Sequence, residues 1–335
     1  MSEAATPVLR SQRVQRRARA ALGICAAIAV LAFYPFILPR ALNFGVSLVL
    51  FAALATAWDL IGGWAGQLSL GHAAFVGLGA YTFTLLQRAQ VPMWLALLAA
   101  VAACVLLAAV WGFITFRLRG AYFALASIAV AEVLRIVSNN WSSLTGGPEG
   151  VSLQDLPPLF GLDLYDRRVE FYLGLALLFV ALMSALYVAG SRAGFYLEAI
   201  REDQDSAMAL GVNPLRVKLV AFCASAALTS LGGCLYGIYL SFFEPQGVYS
   251  LDLSIQLVLM SIVGGMGTIT GPALGALVLL AFQEGFRNLL QQRSLLIYGI
   301  VIVLVVRYAP DGLSGRVLRL YRRLWPWPSR SPSAS

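Results

Sequence analysis

The sequence predicts an all-α polytopic membrane protein of about ten transmembrane helices, some of them broken at glycine. Three observations lead there. Of the 335 residues, 59% are hydrophobic and only 12% charged, at a mean hydropathy of +0.78. Apolar runs of about 20 residues recur from end to end, each long enough to cross a hydrocarbon core of about 30 Å as a helix. Glycine clusters fall inside these runs instead of in polar loops, and non-helical backbone at membrane depth is tolerated only within protein or beside a wet cavity.

Hydropathy places the spans at approximately 20–38, 42–61, 67–87, 92–116, 120–138, 169–189, 217–240, 251–265, 272–290 and 294–309. The first follows a basic segment, 1–19, that carries Arg10, Arg13, Arg16, Arg17 and Arg19. This resembles the charged region of a signal peptide, but Pro35 and Pro39 stand where a small-residue cleavage site belongs, so the span is expected to stay uncleaved. With both termini in the cytoplasm, seventeen of the 24 basic residues fall on the inner side and six on the outer, with Arg135 inside a span. That bias supports the orientation. The charge of +8 therefore reports topology, not a nucleic-acid surface. The permease domain covers 20–310, and the basic tail, 311–335, reads as cytoplasmic and disordered.

Between the second and third spans lies Gly62 to Tyr81, which reads GGWAGQLSLGHAAFVGLGAY and contains the only histidine, His72. Its glycines let the backbone bend or another chain come close. Gly66, Gln67, Ser69, Gly71 and His72 are thus expected to line a path at a broken helix. After the break, Ala73, Gly77 and Ala80 share one helical face, where a neighbouring helix can approach. A second break, with Gly264, Gly265 and Gly267, separates the eighth and ninth spans in GGMGTITGPALG.

Two connections are long. The outer one, 139–168, holds Pro148, Pro157 and Pro158 with four acidic residues and is expected to be irregular, with room for a short surface helix. It includes the turn Thr145, Gly146, Gly147. The inner one, 189–216, repeats Leu197, Ile200, Ala207 and Leu210 at helical spacing, with Gly211 and Pro214 as stop signals, and reads as one short amphipathic helix from Glu198 to Leu210.

Several chemistries are excluded. The four cysteines lie in apolar runs without metal-ligand spacing. There is no phosphate-binding G-x-x-x-x-G-K-[ST] loop and no hydrolase or zinc-protease motif. The chain is not expected to be an enzyme, to bind a metal or to hydrolyse ATP by itself.

Five ordered stretches resemble the permease subunits of bacterial branched-chain amino acid ABC transporters, in the LivM-like branch. They are GGWAGQLSLGHAAFVGLGAYT, RGAYFALASIAVAEVLRIVSNNWSSLTGGPEG, EAIREDQDSAMALGVNPLRVKLVAF, SIVGGMGTITGPALGA and YGIVIVLVVRYAPDGL. Trp64 departs from the pattern, which more often has tyrosine. The resemblance implies an ABC importer permease in the bacterial inner membrane, moving leucine, isoleucine, valine or a related small solute inward. It implies as partners a LivH-like second permease, two ABC ATPase subunits that bind the ATP, and a periplasmic or lipid-anchored substrate-binding protein. It further implies that Glu198, Ala199, Ile200, Arg201, Glu202, Leu210 and Gly211 form the ATPase-coupling loop. Related permeases serve urea, short amides or other amino acids, and a secondary transporter is the rival class.

Single residues keep two readings each. His72 is either a neutral imidazole bonded between helices or a solute contact. Gln67 and Ser69 either touch solute or satisfy backbone groups freed by the break. Glu132 and Arg135, three apart, form a structural pair near the outer end of the span or a gate. Asp59 can cap the backbone N–H groups that follow it.

Overall fold

The computed structural model describes residues 6–118, 120–153, 163–290, 312, 313 and 315. Its helices are α1 (Thr6–Ala32), α2 (Tyr34–Ile37), α3 (Leu42–Gly62), α4 (Ala73–Arg88), α5 (Met93–Thr115), α6 (Ala121–Asn140), α7 (Ser142–Thr145), α8 (Arg167–Gly190), α9 (Arg192–Glu202), α10 (Gln204–Ala209), α11 (Pro214–Leu240), α12 (Pro245–Val248), α13 (Leu251–Gly264) and α14 (Gly271–Leu290). The departure from all-α among the described residues is a two-stranded antiparallel ladder, β1 (Val151–Ser152) with β2 (Phe242–Phe243).

Among the described residues seven helices are long and apolar enough to cross a membrane, fewer than the ten expected: Ala18–Ile37, Pro39–Gly62, Met93–Thr115, Ala121–Asn140, Arg167–Gly190, Pro214–Leu240 and Pro245–Gly264. The expected third span, 67–87, is helical only from Ala73 and has 16 residues. The expected ninth, at 272–290, falls on the helix α14, which is not among these seven. The tenth, 294–309, and nearly all of the expected tail lie outside the described residues, as do Asp155, Pro157 and Pro158. At the N-terminus, the basic stretch from Thr6 and the first span as far as Ala32 lie on one continuous helix, α1, and the rest of that span is the short α2.

α3 is the axis of the bundle. Its apolar window is 83% buried against 11% for the window at the end of α1, so α3 is enclosed and α1 is peripheral. Leu54, Ala55, Trp58 and Ile61 on α3 are sealed from solvent, and a single cluster joins this helix to α8, α11, α13 and α14. α4 and α11 cross closely because both supply glycine: a Cβ on Gly79 would stand 2.6 Å from the Ser230 carbonyl oxygen, and one on Gly233 would stand 2.3 Å from that of Val76. The expected small face of α4 is shared out. Gly77 receives the Tyr249 ring, while Ala80 meets Gly237 of α11.

Several helix starts carry side-chain caps. Asp166 accepts from Arg168 N at α8, Ser191 from Gly194 N at α9, and Asn213 from Arg216 N at α11, where Pro214 occupies the first turn. Asp203 accepts from Asp205 N and Ser206 N and starts α10. That cap overturns the single inner helix expected from Glu198 to Leu210. Asp203 is extended, at φ −153°, so the chain turns there and makes two helices although the apolar spacing continues across the break.

Candidate translocation and coupling site

After Gly62 the chain turns back into the bundle. Gly63 N and Trp64 N both donate to the Asp59 carbonyl, at 2.9 and 3.0 Å, and Gly66 takes φ +67°. The backbone groups freed by this turn find side-chain partners on three helices. Trp58 Nε1 donates to Ser69 O at 2.7 Å, Leu70 N donates to Ser127 Oγ at 2.8 Å, and Ala73 N donates to Ser254 Oγ at 3.0 Å. Gly71 is pressed against α6, where a Cβ would lie 2.0 Å from Ser127 O.

His72 is fully buried, with Nδ1 2.9 Å from Ser69 Oγ and Nε2 2.8 Å from Ser225 Oγ. Ser225 spends its hydroxyl hydrogen on Ala57 O at 2.6 Å, so it must accept from Nε2–H, and Nδ1 accepts from Ser69. The imidazole is thus a neutral strut between the break, α11 and α3. It lies level with Ser225, about 16 Å of helical rise from the start of α11. Ser69 is committed to His72 and not to freed backbone groups. Gln67 is half-buried, and its Oε1 has no hydrogen-bond partner.

The second break meets the first. α13 ends at Gly264, where a Cβ would stand 1.8 Å from Gly271 O, and Gly265 and Gly267 take φ +116° and +70°. Gly267 N donates to both carboxylate oxygens of Asp59, at 3.1 and 3.0 Å. Asp59 was expected to cap the N–H groups that follow it in sequence. Those are taken by its own carbonyl, and the carboxylate reaches across to the other glycine turn.

Arg201 of α9 closes the assembly. Its Nη1 donates to Gly63 O at 2.9 Å, and its side chain packs on both turns: a Cβ at Gly66 would lie 2.8 Å from Arg201 Cγ, and one at Gly267 2.6 Å from Nη1. Of the sequence-predicted path and coupling residues, Gly66, Gly267 and Arg201 are therefore brought together at the end of the bundle where α9 lies, while Ser69, Gly71 and His72 sit deeper.

Within the inner segment the expected apolar face divides. Leu197, Ile200 and Ala207 are buried against this chain, whereas Leu210 is 86% exposed. Leu197 packs with Ile61 and Ala65 beside the first break. Glu198, Ala199, Glu202 and Gly211 face solvent, and Gly211 takes φ +86°. α10 is tied down by Lys218, the sole lysine, whose buried side chain donates to Gln204 Oε1 at 2.7 Å. Met208, Gln204 and the turn from Gly211 to Leu215 line an open groove of about 590 Å³ with Phe116 and Arg117.

At the opposite end, Thr145, Gly146 and Gly147 form a tight turn that leads into a 3-10 turn, Gly147–Glu149. Thr145 Oγ1 bonds Ser138 O and, at 2.9 Å, Trp141 O, and Gly146 and Gly147 both have positive φ. Gly150 lies against Phe243 O, which anchors the turn beneath β2. Glu132 and Arg135 form an ion pair, and Arg135 Nη1 also donates to Gln246 Oε1 at 2.8 Å.

Sequence reasoning missed two features. The Asp59–Gly267 link joins residues 208 positions apart and leaves no local pattern. Arg167, which pairs with the buried Glu170 at 2.6 Å and stacks over Tyr239 at 4.9 Å, was visible only as two charges three apart at a helix start.

Residues 40–306 match the family model for the permease component of the branched-chain amino acid transport system. The chain is 31% identical over 323 residues to the high-affinity branched-chain amino acid transport system permease protein LivM of Salmonella typhimurium, covering 87% of this chain and 74% of that one. It is 32% identical over 311 residues to LivM of Escherichia coli K12, covering 84% and 71%. It is 23% identical over 285 residues to the LivH permease protein of the same organism, covering 79% and 91%. No solved structure matches.

Proposed function

Because the chain belongs to the family of branched-chain amino acid transport system permease components and is LivM-like within it, we propose that it is one permease subunit of an ABC importer. It moves leucine, isoleucine, valine or a closely related amino acid inward. It has about ten spans, sits in the bacterial inner membrane with both termini cytoplasmic, and pairs with a LivH-like second permease. Two separate ABC ATPases bind the ATP, and a periplasmic or lipid-anchored binding protein delivers the solute.

One observation carries the mechanism: Arg201, on the inner helix α9, touches both glycine turns. An ATPase that pushes on α9 and α10 would move Arg201 against Gly63, Gly66 and Gly267, and Asp59 makes the two turns move together. Docking is borne by the exposed side of the pair of helices, with Glu198, Glu202 and Leu210, because Leu197 and Ile200 are already spent on holding α9 to the bundle. Gln67, whose Oε1 is unpartnered, lines the path at the first break. His72 and Ser69 hold its shape.

The test is reconstitution of this chain with the second permease, the ATPases and the binding protein in proteoliposomes. Leucine uptake that needs both ATP and the loaded binding protein is the expected result. Uptake by this chain alone, driven by an ion gradient without nucleotide, would place it among secondary transporters.

A further inference from the structure

Two spans, α5 and α6, are poorly enclosed by the rest of the chain, each with 28% of its window buried, so each is covered by something outside it. Their exposed faces differ. α5 presents Trp94, Leu98, Leu106, Val110 and Phe113, an apolar stripe suited to lipid. The exposed stripe of α6 runs through Tyr122, Leu125 and Ile136 but has Glu132 at its centre, with its side chain 48% exposed and paired to Arg135, itself 23% exposed.

The pair lies within the outer half of the span. Glu132 is about 12 Å of helical rise from Asn140 and Arg135 about 8 Å. Hydrocarbon offers ions no hydrogen-bond partner, so intramembrane charges face a water-filled cavity or a polar surface. The neighbouring chain supports the same conclusion. The segment between α11 and α13 descends into the bundle, since the Tyr249 ring packs on Gly77, about 16 Å of rise below the end of α4. Gln246, exposed on this descending segment, is the second partner of Arg135, and the exposed Glu244 lies two residues before it.

We infer that Glu132, Arg135 and Gln246 form a transient binding site for a zwitterionic amino acid on the outward-facing part of the path. An exposed i, i+3 pair is only weakly held, so it opens easily when a better partner arrives. The solute's α-ammonium replaces Arg135 at the Glu132 carboxylate, and its α-carboxylate takes the forked N–H groups of the freed guanidinium. One internal ion pair is exchanged for two, and no charge is left unpaired. Ser127, five residues earlier on α6, holds the first glycine turn through Leu70 N, so the site stands just outward of that turn. The inference rests on the proposed importer reading and deepens it.

The experiment uses the complete importer in proteoliposomes. Glu132→Cys is expected to react with a membrane-impermeant thiol reagent while Leu106→Cys does not, as read by mass spectrometry on the α5 and α6 peptides. Glu132→Gln and Arg135→Gln are each expected to lower leucine uptake about tenfold, the scale of one lost hydrogen bond to a charged group, with binding-protein-stimulated ATP hydrolysis retained. Glu132→Asp, which keeps the charge, is expected to fall between them and wild type. An unreactive Glu132→Cys in an assembled complex would overturn the inference, since the pair would then be covered by the second permease or by lipid. Wild-type uptake by the Glu132→Gln/Arg135→Gln double variant would overturn it as well. A wild-type complex that takes up no leucine would instead sink the importer reading itself.

Discussion

The Asp59 carboxylate accepts the Gly267 N–H with both oxygens, at 3.1 and 3.0 Å, and so ties the end of α3 to the turn after α13. Asp59 is buried, so removing its side chain leaves the Gly267 N–H without its acceptor. Asp59→Ala is expected to cost about 1–3 kcal/mol, read as a lower Tm of the detergent-purified complex. Asp59→Asn keeps one acceptor oxygen and should cost less. Equal Tm for Asp59→Ala and wild type would show that the link contributes nothing.

The glycines beside Arg201 make a sharper case. Gly66→Leu and Gly267→Leu each meet the Arg201 side chain and a left-handed backbone, at φ +67° and +70°. Both variants should insert in the membrane yet abolish uptake. Gly23→Ala, which meets nothing within 4 Å, should leave uptake unchanged. Normal uptake by either leucine variant would dissociate the glycine turns from transport.

Coupling separates two leucine-sized residues on the inner segment. Ile200→Asp puts a charge into the packed underside of α9 and should lower the amount of folded permease in the membrane. Leu210→Asp changes an 86% exposed position, so the permease should be present in normal amount but fail to co-purify with its ATPases. If Leu210→Asp still assembles and couples hydrolysis to uptake, docking lies elsewhere.

His72 offers a test of structural against solute contact. Both ring nitrogens are occupied by Ser69 and Ser225, so His72→Ala leaves the buried Ser69 hydroxyl without its partner, although Ser225 keeps Ala57 O, and should lower Tm by an amount equivalent to about 1–3 kcal/mol. In the fraction that assembles, half-saturation by leucine should be unchanged. A large shift in half-saturation without a change in Tm would mean that the imidazole touches solute.

Orientation is checked by labelling. A cysteine replacing the exposed Ser143 should react only with reagent added outside, and one replacing the exposed Ser206 only with reagent added to the cytoplasmic side. The reverse pattern would invert the topology.

How much of this was legible in the sequence depends on range. Apolar run lengths located the long helices, because crossing lipid needs only composition and length. They overstated α4, since hydropathy counts Leu68 and Leu70 as apolar but does not see that Gly66 and Gly71 bend the chain around them. The inner segment was read as one helix because Leu197, Ile200, Ala207 and Leu210 keep the helical period, and the period outweighed the cap signal at Asp203. The glycine turns were each visible locally. That they meet each other and Arg201 was not, because contacts between residues 63, 201 and 267 leave no mark on local spacing.

The short α4 has an electrical consequence. Its 16 residues span about 24 Å, less than the hydrocarbon thickness of about 30 Å, and the non-helical chain from Gly63 to His72 makes up the difference. Gly66, in that chain, is exposed, and if the path we propose opens to water there, the insulating layer is thinner than in the surrounding bilayer. The membrane voltage therefore drops over a shorter distance along this route, and an ion would gain or lose about 2.3 kcal/mol per 100 mV within it. In the importer we propose, a solute whose ammonium and carboxylate cancel feels no such net force, so voltage neither drives nor opposes its passage, and the direction of flow is left to the ATPases.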